Sequence, residues 1–201
     1  MAVLSEAALR IAAIVLAAGR STRMGPFNKL LADVGGKPMV RHVAEAALAS
    51  RAAPVLVVTG HMAPEVGAAL EGIAVTLVSN PDYATGLASS FKAGIGALPG
   101  HCDGALILLG DMPRITAAHL DALIAALAPD AIVVPVQGDR QGNPVLWSAR
   151  YFPELLQLDG DAGAKRLLST HAGKVREIDL GTDAIFADID TPEALVKLRS
   201  G

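Results

Sequence analysis

Apolar residues along this chain gather in short runs, separated by stretches with helical spacing. The runs predict strands at Ile11–Ala17, Val55–Thr59, Ile73–Val78, Ala105–Leu109, Ile132–Pro135, Val145–Trp147, Val175–Ile178 and Ile185–Ile189. The first is apolar throughout, the mark of a parallel strand covered on both faces. Helix start signals fall between the runs. Pro38 opens a helix to Ser50, and Pro64 opens a short one. Thr85 caps Leu87–Leu98, Thr116 caps Ala117–Leu127, and a further helix occupies Asp161–Leu168. Thr191-Pro192-Glu193 opens the last one. Strand–helix alternation over the whole length predicts a single-domain α/β fold, a mostly parallel twisted sheet with helices on both faces. The rhythm weakens over residues 136–161, which predicts a small inserted β-hairpin over the sheet's edge, packed by Trp147 and Phe152.

Composition narrows the function classes. The 201 residues, 52% hydrophobic and 18% charged, can bury a core and are not a disordered chain. Aromatics are only 3%, too few for a stacking platform for single strands. The formal charge of 17 − 20 = −3 argues against a nucleic-acid partner. The single cysteine, Cys102, permits neither an internal disulfide nor a cysteine zinc cage, and a reducing cytoplasm fits. A loop thiol with no special purpose, rather than a nucleophile, is expected there. The apolar run Ile11–Ala18 holds eight residues, far short of the ~20 that span a membrane. Glu6 and Arg10 before it are not a basic cluster, so neither a leader nor a membrane partner is expected.

In open α/β sheets ligands sit beyond the carboxyl ends of the strands. The loop after the first strand, Leu16-Ala17-Ala18-Gly19-Arg20-Ser21-Thr22-Arg23-Met24-Gly25-Pro26-Phe27-Asn28-Lys29, is neither a P-loop nor a dinucleotide fingerprint. It still carries small residues, hydroxyls and cations, the chemistry that cradles phosphates. Residues 20–41 hold five cations and one anion, net +4, which leaves −7 for the rest of the chain. An acidic protein with a basic first loop is expected to bind a small polyanion there. The fourth long strand ends Gly110-Asp111-Met112-Pro113, and an Asp at that position facing a polyphosphate is a natural Mg²⁺ ligand. Asp188 and Asp190 share a face by strand alternation. One is expected to complete the metal site and the other to cap the final helix.

Three motifs together, Leu-Ala-Ala-Gly-x-Ser-x-Arg-Met-Gly with Lys29, Gly110-Asp111-Met112-Pro113 and Asp188-Ile189-Asp190-Thr191-Pro192-Glu193, resemble the MobA-like NTP transferases. The resemblance is strongest to the molybdenum cofactor cytidylyltransferase branch. It implies a nucleotide-diphospho-sugar transferase fold, Rossmann-like in character. It also implies a CTP site, with CMP joining the phosphate of molybdopterin as pyrophosphate leaves, and a molybdoenzyme as recipient of the product. The nucleotide-binding residues it implies are Leu16, Ala17, Ala18, Gly19, Ser21, Arg23, Met24, Gly25, Lys29, Asn80, Gly86, Ser89, Ser90 and Asp111. Arg23, Lys29 and Asp111 would be catalytic; Asp111, Asp190 and Asp188 would hold Mg²⁺; Gly142, Asn143 and Pro144 would meet the acceptor. Guanylyltransferase relatives carry glycine where this chain has Ala18, whose methyl should hinder a purine. Asn143 stands where many cytidylyltransferase relatives have histidine, which leaves the acceptor open.

Within this reading the acceptor could instead be another small phosphate, such as a sugar or alditol phosphate. A second class is an NAD(P)H-dependent oxidoreductase of the nicotine blue type on the same fold. Against it, no dinucleotide fingerprint follows the first strand, and no acidic residue ends Val55–Thr59 to hold a ribose. A third class is a cofactor carrier that uses the cleft without Asp111. The five histidines, at 42, 61, 101, 119 and 171, show no metal-ligand spacing and are expected on surfaces or helices. Lys165 and Arg166 are expected on a solvated helix face.

Overall fold

The computed structural model describes residues 9–21, 27–160, 163–187, 189 and 194–196. The fully apolar first run forms β1 (Ile11–Ala17), buried at every position. It pairs in parallel with β4 (Val55–Thr59) on one side and β6 (Gly104–Leu109) on the other. A short hairpin of β2 (Asp33–Val34) and β3 (Lys37–Pro38) stands apart from the main sheet. The sheet continues from β4 to β5 (Thr76–Ser79) at one edge. The other half contains β7 (Ile132–Gln137), β8 (Arg140–Gln141), β9 (Val145–Ser148) and β10 (Val175–Asp179). The strand path is β10-β7-β9-β6-β1-β4-β5, with β8 added to β7.

Alternation along β1 divides the core. Ile11, Ala13, Val15 and Ala17 face α1 (Met39–Leu48), α2 (Ala63–Ala69) and α4 (Ala117–Ala125). Ile14 and Leu16 face α3 (Leu87–Gly96), α5 (Phe152–Leu155) and α6 (Gly163–Thr170). Helices therefore cover both faces of a mostly parallel sheet. Among the described residues no helix is long and apolar enough to cross a membrane.

Four expectations change. The insertion does not lie over an edge: β9 sits inside the sheet, antiparallel to both β6 and β7. Trp147 consequently packs in the main core, 1% exposed, edge-on to Tyr151. Among the described residues of the run Ile185–Ile189 none is in a strand; Asp183–Phe186 form a 3-10 turn whose N-cap is Thr182. The apolar run there buries Ala184 and Ile185 by turn periodicity rather than by alternation. Thr85 lies inside a 3-10 turn (Tyr83–Thr85), and Gly86, at φ 117°, precedes α3 without a side-chain cap. The strand expected from Ile73 begins only at Thr76, because residues 70–75 are taken up by tight backbone turns after α2. At its end α6 runs to Thr170, two residues beyond the expected Leu168.

Thr116 caps α4 as expected, and His119 completes a reciprocal capping box. The His119 Nδ1 accepts from the Thr116 N–H at 3.3 Å, and Thr116 Oγ1 accepts from the His119 N–H at 3.4 Å. Burial pushes the His119 imidazole below its ordinary pKa, since desolvation disfavours the charged ring. Its contribution to stability is therefore complete above the unfolded value near 6.5, and is lost as pH falls through the lower folded value. Between pH 7 and 5 the melting temperature of His119→Ala should fall less steeply than that of the native chain. Parallel curves would remove His119 from this role.

Candidate active site

The carboxyl ends of β1, β4, β5 and β6 are laced together beyond the regular ladders. The Gly110 N–H donates to the Leu16 carbonyl at 3.0 Å, that of His61 to Ala18 at 3.1 Å and that of Asn80 to Thr59 at 2.8 Å. Parallel pairing thus brings the first loop and the Gly110-Asp111 turn side by side, although Lys29 and Asp111 are 111 − 29 = 82 positions apart in sequence. Between them lies the central contact of the site. The Lys29 ammonium meets Asp111 Oδ2 at 2.5 Å, with side chains only 15% and 12% exposed. Two oppositely charged groups are held this close at the end of the sheet, largely withdrawn from water, and offer a cation and an anion side by side.

Lys29 opens a 3-10 turn, Lys29–Leu31, capped by Asn28. Ser21 sits in the left-handed region at φ 52°, and its Oγ accepts from the Lys29 N–H at 3.2 Å. The expected phosphate hydroxyl of Ser21 is thus engaged within the loop itself. Two other cations of the basic stretch, Lys37 and Arg41, are bound to Glu45 at 2.7 and 2.9 Å, and together they hold its carboxyl below the usual range. Arg20 lies 6.0 Å from the Tyr83 ring centre. The excess positive charge at the site is accordingly smaller than the +4 of the segment suggests. Arg23, Met24 and Gly25 lie outside the described residues.

Asn80, Ser89 and Ser90 do come together, but as a brace. The Asn80 Nδ2 donates to both hydroxyl oxygens, at 2.9 and 3.0 Å, and Ser89 Oγ donates to the Gly86 carbonyl. Asn80 and Ser90 are buried at 3% and 5% exposure. They fix the start of α3 to the end of β5. Ala18 is also buried, and its methyl lies against Gly60, where any Cβ would come within 2.9 Å of it and 2.6 Å of Tyr83 Cβ. The Ala18 methyl thus packs into a corner formed with Gly60, His61 and Tyr83. His61, discounted in the sequence, joins that corner with its ring 6.1 Å from Tyr83. Its position just past a strand end was the available signal.

Gly142, Asn143 and Pro144 are held between β7 and the 3-10 turn at 183–186. The Gly142 N–H donates to Pro135, and the Asn143 N–H donates to the Ile185 carbonyl at 3.0 Å. A Cβ on Gly142 would lie 2.6 Å from that carbonyl, so no side chain fits. Asn143 lines a cavity of about 830 Å³ that also involves Phe91, Leu109, Trp147, Lys165 and Glu177. Lys165, expected on a solvated face, is thus at its rim, and Gln141 donates to Glu177 across β8 and β10 at 2.8 Å.

Asp188 and Asp190 lie outside the described residues. The described Ile189 donates its N–H to the Asp111 carbonyl at 3.2 Å. A carboxylate such as that of Asp111 is the kind of oxygen ligand a hard divalent cation takes. Among the described residues no cluster of three metal-ligating side chains occurs. Burial pushes the Cys102 thiol up, which disfavours its thiolate.

The domain model for MobA-like NTP transferases matches residues 13–175, which include most of β1, Lys29, Asp111 and residues 142–144. The chain belongs to this family. It is 34% identical to the purine catabolism protein PucB of Bacillus subtilis, across 92% of this chain and 94% of that one. It is 29% identical to the molybdenum cofactor cytidylyltransferase of Escherichia coli, again across 92% and 94%. Among solved structures, Rv0371c of Mycobacterium tuberculosis superposes with a TM-score of 0.86 at 27% identity, covering 97% of this chain and 100% of that one. A manganese complex of the same protein gives 0.77 at 28% identity, across 96% and 99%. Membership in the MobA-like NTP transferases makes this a nucleotidyltransferase-type domain, with the α/β fold expected from its strand–helix rhythm.

Proposed function

We propose that this MobA-like NTP transferase moves CMP from CTP onto the phosphate of a molybdopterin-type molybdenum cofactor, releasing pyrophosphate. The observation that carries the reading is the Lys29–Asp111 pair at the junction of the first loop and the end of β6. The acceptor phosphate attacks the α-phosphorus in line, a new P–O bond forms, and the bond from the α-phosphorus to the β-bridging oxygen breaks. The electron pair leaves with pyrophosphate. The nucleophile is already an anion, so no general base is needed; positioning and charge neutralisation suffice. Lys29 and Arg23 would neutralise the β- and γ-phosphates as they become pyrophosphate. Backbone N–H groups of residues 18–25 would cradle the triphosphate. Asp111, with Asp190 and Asp188, would hold Mg²⁺, which when bound supplies Lewis-acid polarisation of the α-phosphate. The manganese complex of Rv0371c supports a divalent cation in this fold.

The 830 Å³ cavity beside Leu109 supports a bulky acceptor. Its walls are mostly apolar, with Asn143, Gln141, Lys165 and Glu177 as polar contacts. A ring system with a few hydrogen-bonding edges suits such walls better than a small sugar phosphate, whose hydroxyls would lose water without partners. The preference for CTP rests on the similarity to the cytidylyltransferase. A product-receiving molybdoenzyme and a cytoplasmic setting follow from the same reading.

Thermal stability against CTP, GTP, ATP, UTP and NADPH, each with and without Mg²⁺, tests it. A ligand at ~100 times its dissociation constant stabilises by about 2.7 kcal/mol, which for a chain of this size is a shift of roughly 5–10 °C. A Mg²⁺-dependent shift with CTP, followed by pyrophosphate release with the cofactor, is expected. A shift with GTP alone would move the base assignment, and a response to NADPH alone would sink transfer in favour of redox chemistry.

A further inference from the structure

Asn28 has no part in the reading above, yet it is among the few polar side chains buried in the core, 5% exposed, and directly precedes Lys29. Its side-chain hydrogen bonds all run through one atom. Asn28 Oδ1 accepts from the Leu30 N–H at 3.1 Å, which caps the turn that begins with Lys29. The same oxygen accepts from Ser21 Oγ at 3.3 Å. Ser21 Oγ in turn accepts from the Lys29 N–H. These three bonds close the neck of the first loop: its start at Ser21, in a left-handed conformation, is tied to its end at Lys29. By contrast Asn28 Nδ2 is buried and makes no hydrogen bond. The amide is kept for its oxygen, at the cost of a dry, unmatched donor.

We propose that Asn28 is a positioning residue: its Oδ1 ties the neck of the triphosphate loop and so sets the Lys29 ammonium against Asp111. This rests on the nucleotidyltransferase reading for its kinetic consequence, but the placement of Lys29 can be read without any nucleotide. A backbone N–H faces this atom, so the requirement is for an acceptor. A carboxylate would meet it as well as an amide, because Asp and Asn are equivalent N-caps.

The test compares Asn28→Ala with Asn28→Asp, and adds Ser21→Ala alone and combined with Asn28→Ala. The first readout is the NMR signal of the Lys29 Cε in the unliganded chain. It should move toward the free-lysine position in Asn28→Ala and remain near the native position in Asn28→Asp. The second is steady-state pyrophosphate release. KM for the nucleotide should rise roughly five- to tenfold in Asn28→Ala, the scale of one lost capping hydrogen bond. kcat should change less, and Asn28→Asp should recover most of the loss. Because both side chains act through one tie, the double variant should be no worse than the poorer single one.

Native Lys29 signal and native KM in Asn28→Ala would overturn the proposal. So would equal losses in Asn28→Ala and Asn28→Asp, which would put the role on the amide nitrogen or on charge, and so would additive effects in the double variant. If Asn28→Ala does not fold, Ser21→Ala gives the Lys29 signal by cutting the other end of the tie, and an unshifted signal there overturns it equally. If the native chain neither binds a nucleoside triphosphate nor releases pyrophosphate, the functional reading fails, while the Lys29 signal still decides the positioning role.

Discussion

Asp111→Asn is expected to lower the rate of nucleotidyl transfer by about three orders of magnitude and to leave the fold intact. Three decades correspond to roughly 4 kcal/mol of transition-state stabilisation, a scale within reach of a ligand whose charge holds the metal and faces the reacting phosphate. The substitution keeps the shape of a side chain that is 12% exposed, so packing at the end of β6 is retained. The backbone bonds there, from Ile189 to the Asp111 carbonyl and from Gly110 to Leu16, do not involve the side chain. What is lost is negative charge. The amide oxygen binds a divalent cation poorly and no longer balances the Lys29 ammonium 2.5 Å away. Single-turnover pyrophosphate release across a metal titration, with circular dichroism on the unliganded chain, measures both halves. A variant within tenfold of the native rate at saturating metal would remove Asp111 from the reaction and favour the carrier reading, in which the cleft binds but does not transfer.

Lys29→Met should have the next largest effect, and of two opposite signs. Met keeps the length and apolar stem of lysine but loses the ammonium. A charge-assisted hydrogen bond to phosphate contributes about 1.5–3 kcal/mol, so kcat/KM for the nucleotide should fall roughly ten- to hundredfold. The ammonium also competes for the Asp111 carboxylate, being in contact with it in the absence of substrate. Removing it should tighten binding of a bare divalent cation, measured by Mn²⁺ titration without nucleotide. Nucleotide affinity and metal affinity thus move apart. An unchanged KM for the nucleotide would show that Lys29 serves only as a counter-ion to Asp111.

Much of the fold was legible because its strands are buried on both faces and its helices carry plain start signals. Ile11–Ala17 and Val55–Thr59 were readable to the residue, since an apolar run bounded by turn residues in a parallel sheet has no competing pattern. Ile185 misled for the same reason: a short apolar run is equally at home in a turn that buries two residues. The placement of Val145–Ser148 was hidden more deeply. Whether a strand joins an edge or enters between two others depends on long-range pairing, which local sequence does not encode.

The site divides along the same line. Sequence by itself determined which chemistry the chain holds: a small-residue loop with Lys29 after the first strand, Asp111 at the end of another, and a family resemblance linking the two. Each is a local pattern with a local physical cause. Only the tertiary structure decided which of these groups are engaged by the scaffold and by one another. It put the Lys29 ammonium on Asp111, bound Asn80 to Ser89 and Ser90, spent Lys37 and Arg41 on Glu45, and buried the Ala18 methyl against Gly60. It also raised Asn28 from an unremarked neighbour to the tie at the loop's neck. A side chain's partners are set by what folding brings within about 3 Å of it, and for a polar group that proximity, not its type, decides whether it is free to bind.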